Sequence, residues 1–153
     1  MDTLGDYGFF KDLGNGILHD VGRGFSESIY HRAMEVELRL HGVGYQSEVV
    51  IPVRYKDYYI GFGRADIITG NSIIITKCGS DNCWCRNTKD YYEGNIIIEL
   101  KSVSGAPKNI ELTQLKTYLN SLDNTVYNKG IIINFGQPSN SQREEVDILA
   151  VNL

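Results

Sequence analysis

GNIIIELKSVSG, Gly94 to Gly105, is the stretch on which the fold turns. Ile96, Ile97 and Ile98 make a short run of branched apolar residues, as a buried strand requires. Glu99 and Lys101 follow where that strand should still lie inside the protein. Side chains alternate along a strand, so an acid and a base two residues apart face the same way. A buried charge without a partner is very costly. The stretch therefore calls for either a cross-strand ion pair or a bound cation.

Outward from that strand the apolar runs repeat. GIIINFG (130–136) reads as a short apolar strand, as expected of a central strand covered on both faces. NIELTQLKTYLNSLD (109–123) follows Pro107 and reads as a helix whose apolar side carries Ile110, Leu115, Tyr118, Leu119 and Leu122. Upstream, VVIPVRY (49–55) and YYIGFGRADIIT (58–69) are strands joined through Lys56-Asp57 as a hairpin, and NSIIIT (71–76) is a further apolar run. Residues 26–41 form the clearest helix: Ile29, Ala33, Val36 and Leu40 share one stripe, and Tyr30, Met34, Glu37 and His41 an adjacent one beginning beside Glu27. Arg32, Glu35 and Arg39 take the opposite, solvated face; Ser26 caps the start and Gly42 marks the stop. Residues 6–22 are spaced helically through Phe9, Phe10, Leu13, Ile17 and Leu18, against the weakening effect of Gly14 and Gly16. The tail QREEVDILAVNL (142–153) either adds a last strand or packs loosely. The order predicts a mixed sheet flanked by helices.

Composition bounds the function. A chain of 153 residues is one ordinary domain, and 42% hydrophobic with 22% charged residues is globular. No apolar run reaches the roughly 18 residues of a membrane span, so no membrane partner is expected. MDTLGDYGFF lacks the basic start and apolar stretch of a secretion signal, so an intracellular place, cytoplasm or nucleus, is expected. The net charge of −4 supplies no global field for nucleic acid. Phosphate binding would have to come from a local patch or from metal ions. Cys78, Cys83 and Cys85 form an odd, clustered set, which is no disulfide framework. They suit either a structural Zn²⁺ with a fourth ligand from His19, His31 or His41, or reduced thiols in a surface loop.

GNSIIITK (70–77) and GNIIIELK (94–101) nearly superimpose at an offset of 24. They are either a local duplication or two similar strands, and only the second carries the acid, since Ile75 stands where Glu99 does.

Polar residues in apolar surroundings carry the candidate chemistry. Asp66 sits inside the strand GRADIIT, Glu99 and Lys101 inside the run from Asn95, and Gln114 and Tyr118 lie four apart on one helix. Two or three oxygen ligands without His or Cys suit a hard ion, Mg²⁺ or Mn²⁺, whose waters become reagents towards phosphorus. Lys101, on the face of Glu99, is placed to position the attacking water or to stabilise negative charge on a phosphate. An Asp66–Lys101 ion pair would equally satisfy both residues without any metal.

GFSESIY (24–30) matches the G-x-x-E-x-x-Y signature, and the likeness continues in order through IPVRY, GRAD, IIIELKSV, QLKTYL and GIIINFG. On these fragments, spanning roughly residues 10–136, the chain resembles the GxxExxY proteins of the PD-(D/E)XK nuclease superfamily. The resemblance implies an α/β, restriction-endonuclease-like fold: a mixed central β-sheet flanked by α-helices, here one nuclease-like domain over 1–153. It implies metal ligands at Asp66 and Glu99, an assisting Lys101, and a helical acid at Glu27 that reaches the metal through water. It further implies an orienting role for Gln114 and Tyr118. The spacing departs from the family pattern, in which E-x-K follows the Asp after about nine residues; here Asp66 and Glu99 are 33 apart. An insertion of about 24 residues, a Cys-containing hairpin or loop near 70–94, would account for this and keep the chemistry at Glu99.

The expected function is therefore a metal-dependent phosphodiester hydrolase, a nuclease acting on DNA or alternatively RNA, with a homodimer as one arrangement for cutting two strands. The competing expectation is a nuclease-like module that binds nucleic acid or protein without cutting.

Overall fold

A computed structural model describes residues 4–69, 96–105, 109–122, 129–138 and 145–152. The cysteine cluster, the first isoleucine copy and the expected insertion lie outside the described residues. In chain order the elements are α1 (Leu4–Val21), α2 (Glu27–Leu40), β1 (Tyr45–Tyr55), β2 (Tyr58–Thr69), β3 (Ile96–Lys101), α3 (Asn109–Ser121), β4 (Lys129–Asn134) and β5 (Asp147–Asn152). The strands form one sheet in the order β1-β2-β3-β4-β5. Only β3 and β4 run parallel; the other neighbours are antiparallel. This is the expected mixed α/β sheet of the restriction-endonuclease-like class, and the tail resolves as edge strand β5.

Each face of the sheet carries its own core. On one, α1 and α2 pack Phe10, Leu13, Tyr30, Met34 and Leu38 against Ile67, Ile96, Ile98, Leu100, Ile131 and Ile133. On the other, α3 packs Leu115, Tyr118 and Leu119 against Ile51, Ala65, Ile97, Ile132 and Val151. The isoleucine runs of β3 and β4 are continuous because strands covered on both faces bury every side chain. Each such Ile contributes roughly 1.5–3 kcal/mol of burial.

Gly14, which weakened the α1 helix on propensity, has a packing reason. A Cβ there would stand 3.0 Å from Val146 and 3.4 Å from Ile133, so the bare backbone lets α1 approach the sheet. The two-residue Lys56-Asp57 link is a tight hairpin turn with φ of 48° and 68°, the pattern that matches strand twist. α2 ends as expected: Gly42 takes φ 71°, its N–H donates to Arg39, and Val43 N–H donates to Leu38, a Schellman stop.

The apolar stripe expected on α2 needs correction. The buried residues are Tyr30, Met34 and Leu38, whereas Ile29, Val36 and Leu40 are exposed. Tyr30 decides the rotation of the helix. Its ring stacks on Phe135 with centroids 4.2 Å apart, at the exit of β4. Ser26 occupies the N-cap position, but its side chain makes no capping bond. Ile110, expected on the buried side of α3, is exposed as well.

Candidate active site

β2 and β3 share only two ladder pairs, Ile67 with Ile98 and Ile68 with Ile97. Side chains take over at both ends of that short ladder. At one end Thr69 Oγ1 accepts from Ile96 N–H at 2.9 Å. At the other, the Asp66 carboxylate Oδ2 accepts from Leu100 N–H at 2.8 Å, and Glu99 Oε1 accepts from Asp66 N–H at 3.3 Å. The two strands thus part at the two acids, and each carboxyl group fills the gap left by a missing backbone carbonyl.

A switch of faces in the hairpin positions Asp66. Ser47 pairs with Ile67 and Val49 with Ala65, which leaves Glu48 opposite Asp66 without a ladder pair. Glu48 has φ 53°, a left-handed conformation that breaks strand alternation. Before this point Tyr45 and Ile67 face the helices α1 and α2; beyond it Val49, Ile51 and Ala65 face α3. Asp66, at the pivot, points sideways into the strand gap rather than into either core.

Glu99 alternates with Ile97 on the α3 face and is 9% exposed. Burial, reinforced by the Asp66 carboxyl beside it and a hydrogen bond between the two, pushes Glu99 up to about 8. The Asp66 N–H and the Lys101 ammonium oppose that shift without cancelling it. Lys101 is half-buried on the same face and, among the described residues, pairs with no carboxylate. The cross-strand Asp66–Lys101 ion pair that offered a metal-free reading is therefore not formed.

A polar frame holds the end of β3. Asn134, 2% exposed, accepts from Val103 and Gly136 N–H groups and donates to the Val103 and Gly105 carbonyls. Gln137 donates to the Ser102 carbonyl, and Phe135 N–H to the Lys101 carbonyl at 2.8 Å. The sequence reading passed over Asn134. Its signal was available: an amide among isoleucines must find partners if buried.

The other expected residues divide. Tyr118 is buried and its hydroxyl accepts from Arg64 N–H at 3.3 Å, two residues from Asp66. Gly63 makes room for it, since a Cβ there would fall 2.2 Å from the Tyr118 ring. Gln114, one turn away on α3, is exposed. Glu27 is exposed in the first turn of α2, not at its buried edge, and among the described residues no bond or ion pair joins it to Asp66 or Glu99. The motif around it is structural at both ends. Gly24 has φ 101°, which disfavours any side chain. Tyr30 donates to the Gly22 carbonyl at 2.7 Å and accepts from Phe25 N–H, so it ties the loop to the helix that carries Glu27. Arg23 adds bonds to the Phe135 and Glu145 carbonyls. Of the histidines considered for zinc, His31 bonds Ser47 and lies 3.5 Å from Glu35, His41 is buried at the end of α2, and His19 lies beside Asp20.

Among the described residues no three His, Cys, Asp or Glu side chains cluster as a metal cage. Among the described residues, two carboxyl groups converge. That donor set fits Mg²⁺ or Mn²⁺, which take one or two carboxylates and keep their waters. A divalent cation would relieve the repulsion between the two carboxyl groups, which adds to burial in raising Glu99.

Residues 11–82 match the PD-(D/E)XK nuclease superfamily, whose members are generally nucleases. The matched segment includes Asp66 and ends before Glu99 and Lys101. Among solved structures, one titled "Crystal structure of SSO0001" is 22% identical with a TM-score of 0.49. The likeness covers 82% of this chain and 50% of that one, so the chain spans about half its length. No curated protein matches. No helix among the described residues is long and apolar enough to cross a membrane.

Proposed function

We propose that the protein is a metal-dependent nuclease that hydrolyses phosphodiesters of DNA at Asp66, Glu99 and Lys101. The observation that supports this best is the convergence of two acids, 33 residues apart in the chain, on one gap between β2 and β3, where burial and the neighbouring Asp66 carboxyl push Glu99 up to about 8. A bound Mg²⁺ or Mn²⁺ would supply Lewis acidity towards a phosphoryl oxygen and lower the pKa of a water. Asp66 and Glu99 would hold it. Lys101, on the face of Glu99, would orient the attacking water and balance charge on the phosphate as the O–P bond breaks. Tyr118 and Asn134 act at one remove: the first fixes β2 beside Asp66, the second fixes the turn after Lys101. Glu27 stands exposed in the first turn of α2, beside the loop tied down by Tyr30, where it would meet substrate or a metal-bound water. The likeness of residues 11–82 to a nuclease superfamily supports the same reading.

One observation favours a second reading. A protonated Glu99 bonded to Asp66 satisfies the pair without any ion, as a non-cutting binding module would allow. Cleavage of plasmid and single-stranded DNA with Mg²⁺ or Mn²⁺, against EDTA and Glu99→Ala, separates the two. Metal-dependent cleavage lost in Glu99→Ala supports the nuclease. Thermal stabilisation by Mn²⁺ with no cleavage of either substrate refutes it in favour of the module.

A further inference from the structure

The hairpin beyond the pivot at Asp66 has one face against α3 and one open face. The open face carries Val50, Pro52 and Arg54 on β1 and, across from them, Arg64, Phe62 and Tyr59 on β2. Phe62 is 78% and Tyr59 63% exposed. An exposed aromatic patch of this kind marks an interaction site. The bulge between Val53 and Arg54 brings Tyr59 into line with Arg54, whose guanidinium sits 4.7 Å over the Tyr59 ring. Residues 50–64 hold Arg54, Lys56 and Arg64 against Asp57 alone, a positive island on a chain of net charge −4. Arg64 meets Glu48 at 3.7 Å, but both are well exposed, and such a pair is weak and easily exchanged.

We infer that this face is a stacking platform for an unpaired stretch of DNA. Aromatic rings alternating with cations match a strand that offers bases as π-faces and phosphates as charges. A second copy of this chain would set one positive island against another, which argues against self-association there. Phe62 lies four strand residues, roughly 13 Å, from Asp66, which points into the gap between β2 and β3. A polar depression lined by His31, Arg32, Glu35, Ser47 and Glu48 lies between α2 and β1.

The inference deepens the nuclease reading and rests on it for its place in catalysis, but binding can be measured with cleavage switched off. Fluorescence anisotropy of a labelled single-stranded DNA oligonucleotide, in EDTA at low salt, reads the platform alone. The expected result is binding to single strands, weaker for the matching duplex, and loosened about 5- to 100-fold by Phe62→Ala. Phe62→Trp should restore it, and Arg54→Ala should lessen its salt dependence. Since Phe62 is exposed, these variants should fold; melting curves check that. Unchanged affinity in Phe62→Ala, a preference for duplex, or absence of binding overturns the platform. Concentration-dependent dimers that Phe62→Ala abolishes, without DNA binding, would assign the face to a second copy instead. Cleavage that survives loss of the platform leaves the nuclease reading intact, and binding without cleavage under any metal refutes only the nuclease.

Discussion

Replacing Glu99 by Gln should stabilise the protein at alkaline pH and flatten its pH dependence. In the unfolded chain Glu99 titrates near 4.5; in the fold, burial and the Asp66 carboxyl push it up to about 8. Between those values the folded state binds more protons than the unfolded one, so stability falls as pH rises through the window. A difference of about 3.5 units between 4.5 and about 8, at about 1.4 kcal/mol each, approaches a loss of roughly 4 kcal/mol by pH 8. Glu99 is 9% exposed, so solvent screens little of this. Asp12 and Glu37 are also raised by burial and add the same sign in both proteins. The difference between wild type and Glu99→Gln isolates the one group. The assay is urea unfolding from pH 5 to 8.5 in EDTA: wild type should lose several kcal/mol more than the variant. Mn²⁺ should then raise the wild-type Tm more at pH 8 than at pH 5.5, because ion and proton compete for the same oxygens, and should leave the variant little changed. Parallel profiles for the two proteins would refute the carboxyl pair.

Three further outcomes follow from the packing. Gly63→Ala should cost about 1–3 kcal/mol in urea unfolding and reduce cleavage, because its methyl collides with the Tyr118 ring, whereas Gly61→Ala, with open space around it, should fall well short of that. Tyr30→Phe keeps the stack on Phe135 but loses the bond to the Gly22 carbonyl, for about 1 kcal/mol; Tyr30→Ala loses both, for about 3–5 kcal/mol in the same assay. Asn134→Ala strips four bonds from the turn after Lys101 and should cost upwards of about 2 kcal/mol, with faster amide exchange at Val103 and Gly136 as the local readout.

What was legible in the sequence was local. The isoleucine runs of β3 and β4, the α1 and α3 cores through Phe10, Leu13, Leu115 and Leu119, and the Lys56-Asp57 turn follow from periods of 2 and 3.6 and from turn chemistry. These depend on neighbours in the chain. The acids inside apolar strands were visible for the same reason, since a charge among isoleucines needs a cause wherever it sits.

What only the tertiary structure decided was relational. Two stripes of α2 were apolar enough to be buried, and the stack of Tyr30 on Phe135, more than a hundred residues away, selected one and left Leu40 outside. Asn134 became a four-bond anchor only once the turn from Ser102 to Gly105 folded round it. Asp66 and Glu99 met because the hairpin switches faces at Glu48 and the strands beside them separate, leaving two backbone N–H groups for two carboxyl groups to satisfy. Periodicity assigns a residue to a face, but packing chooses which face is covered, and only the loss of a ladder bond turns two distant side chains towards the same gap.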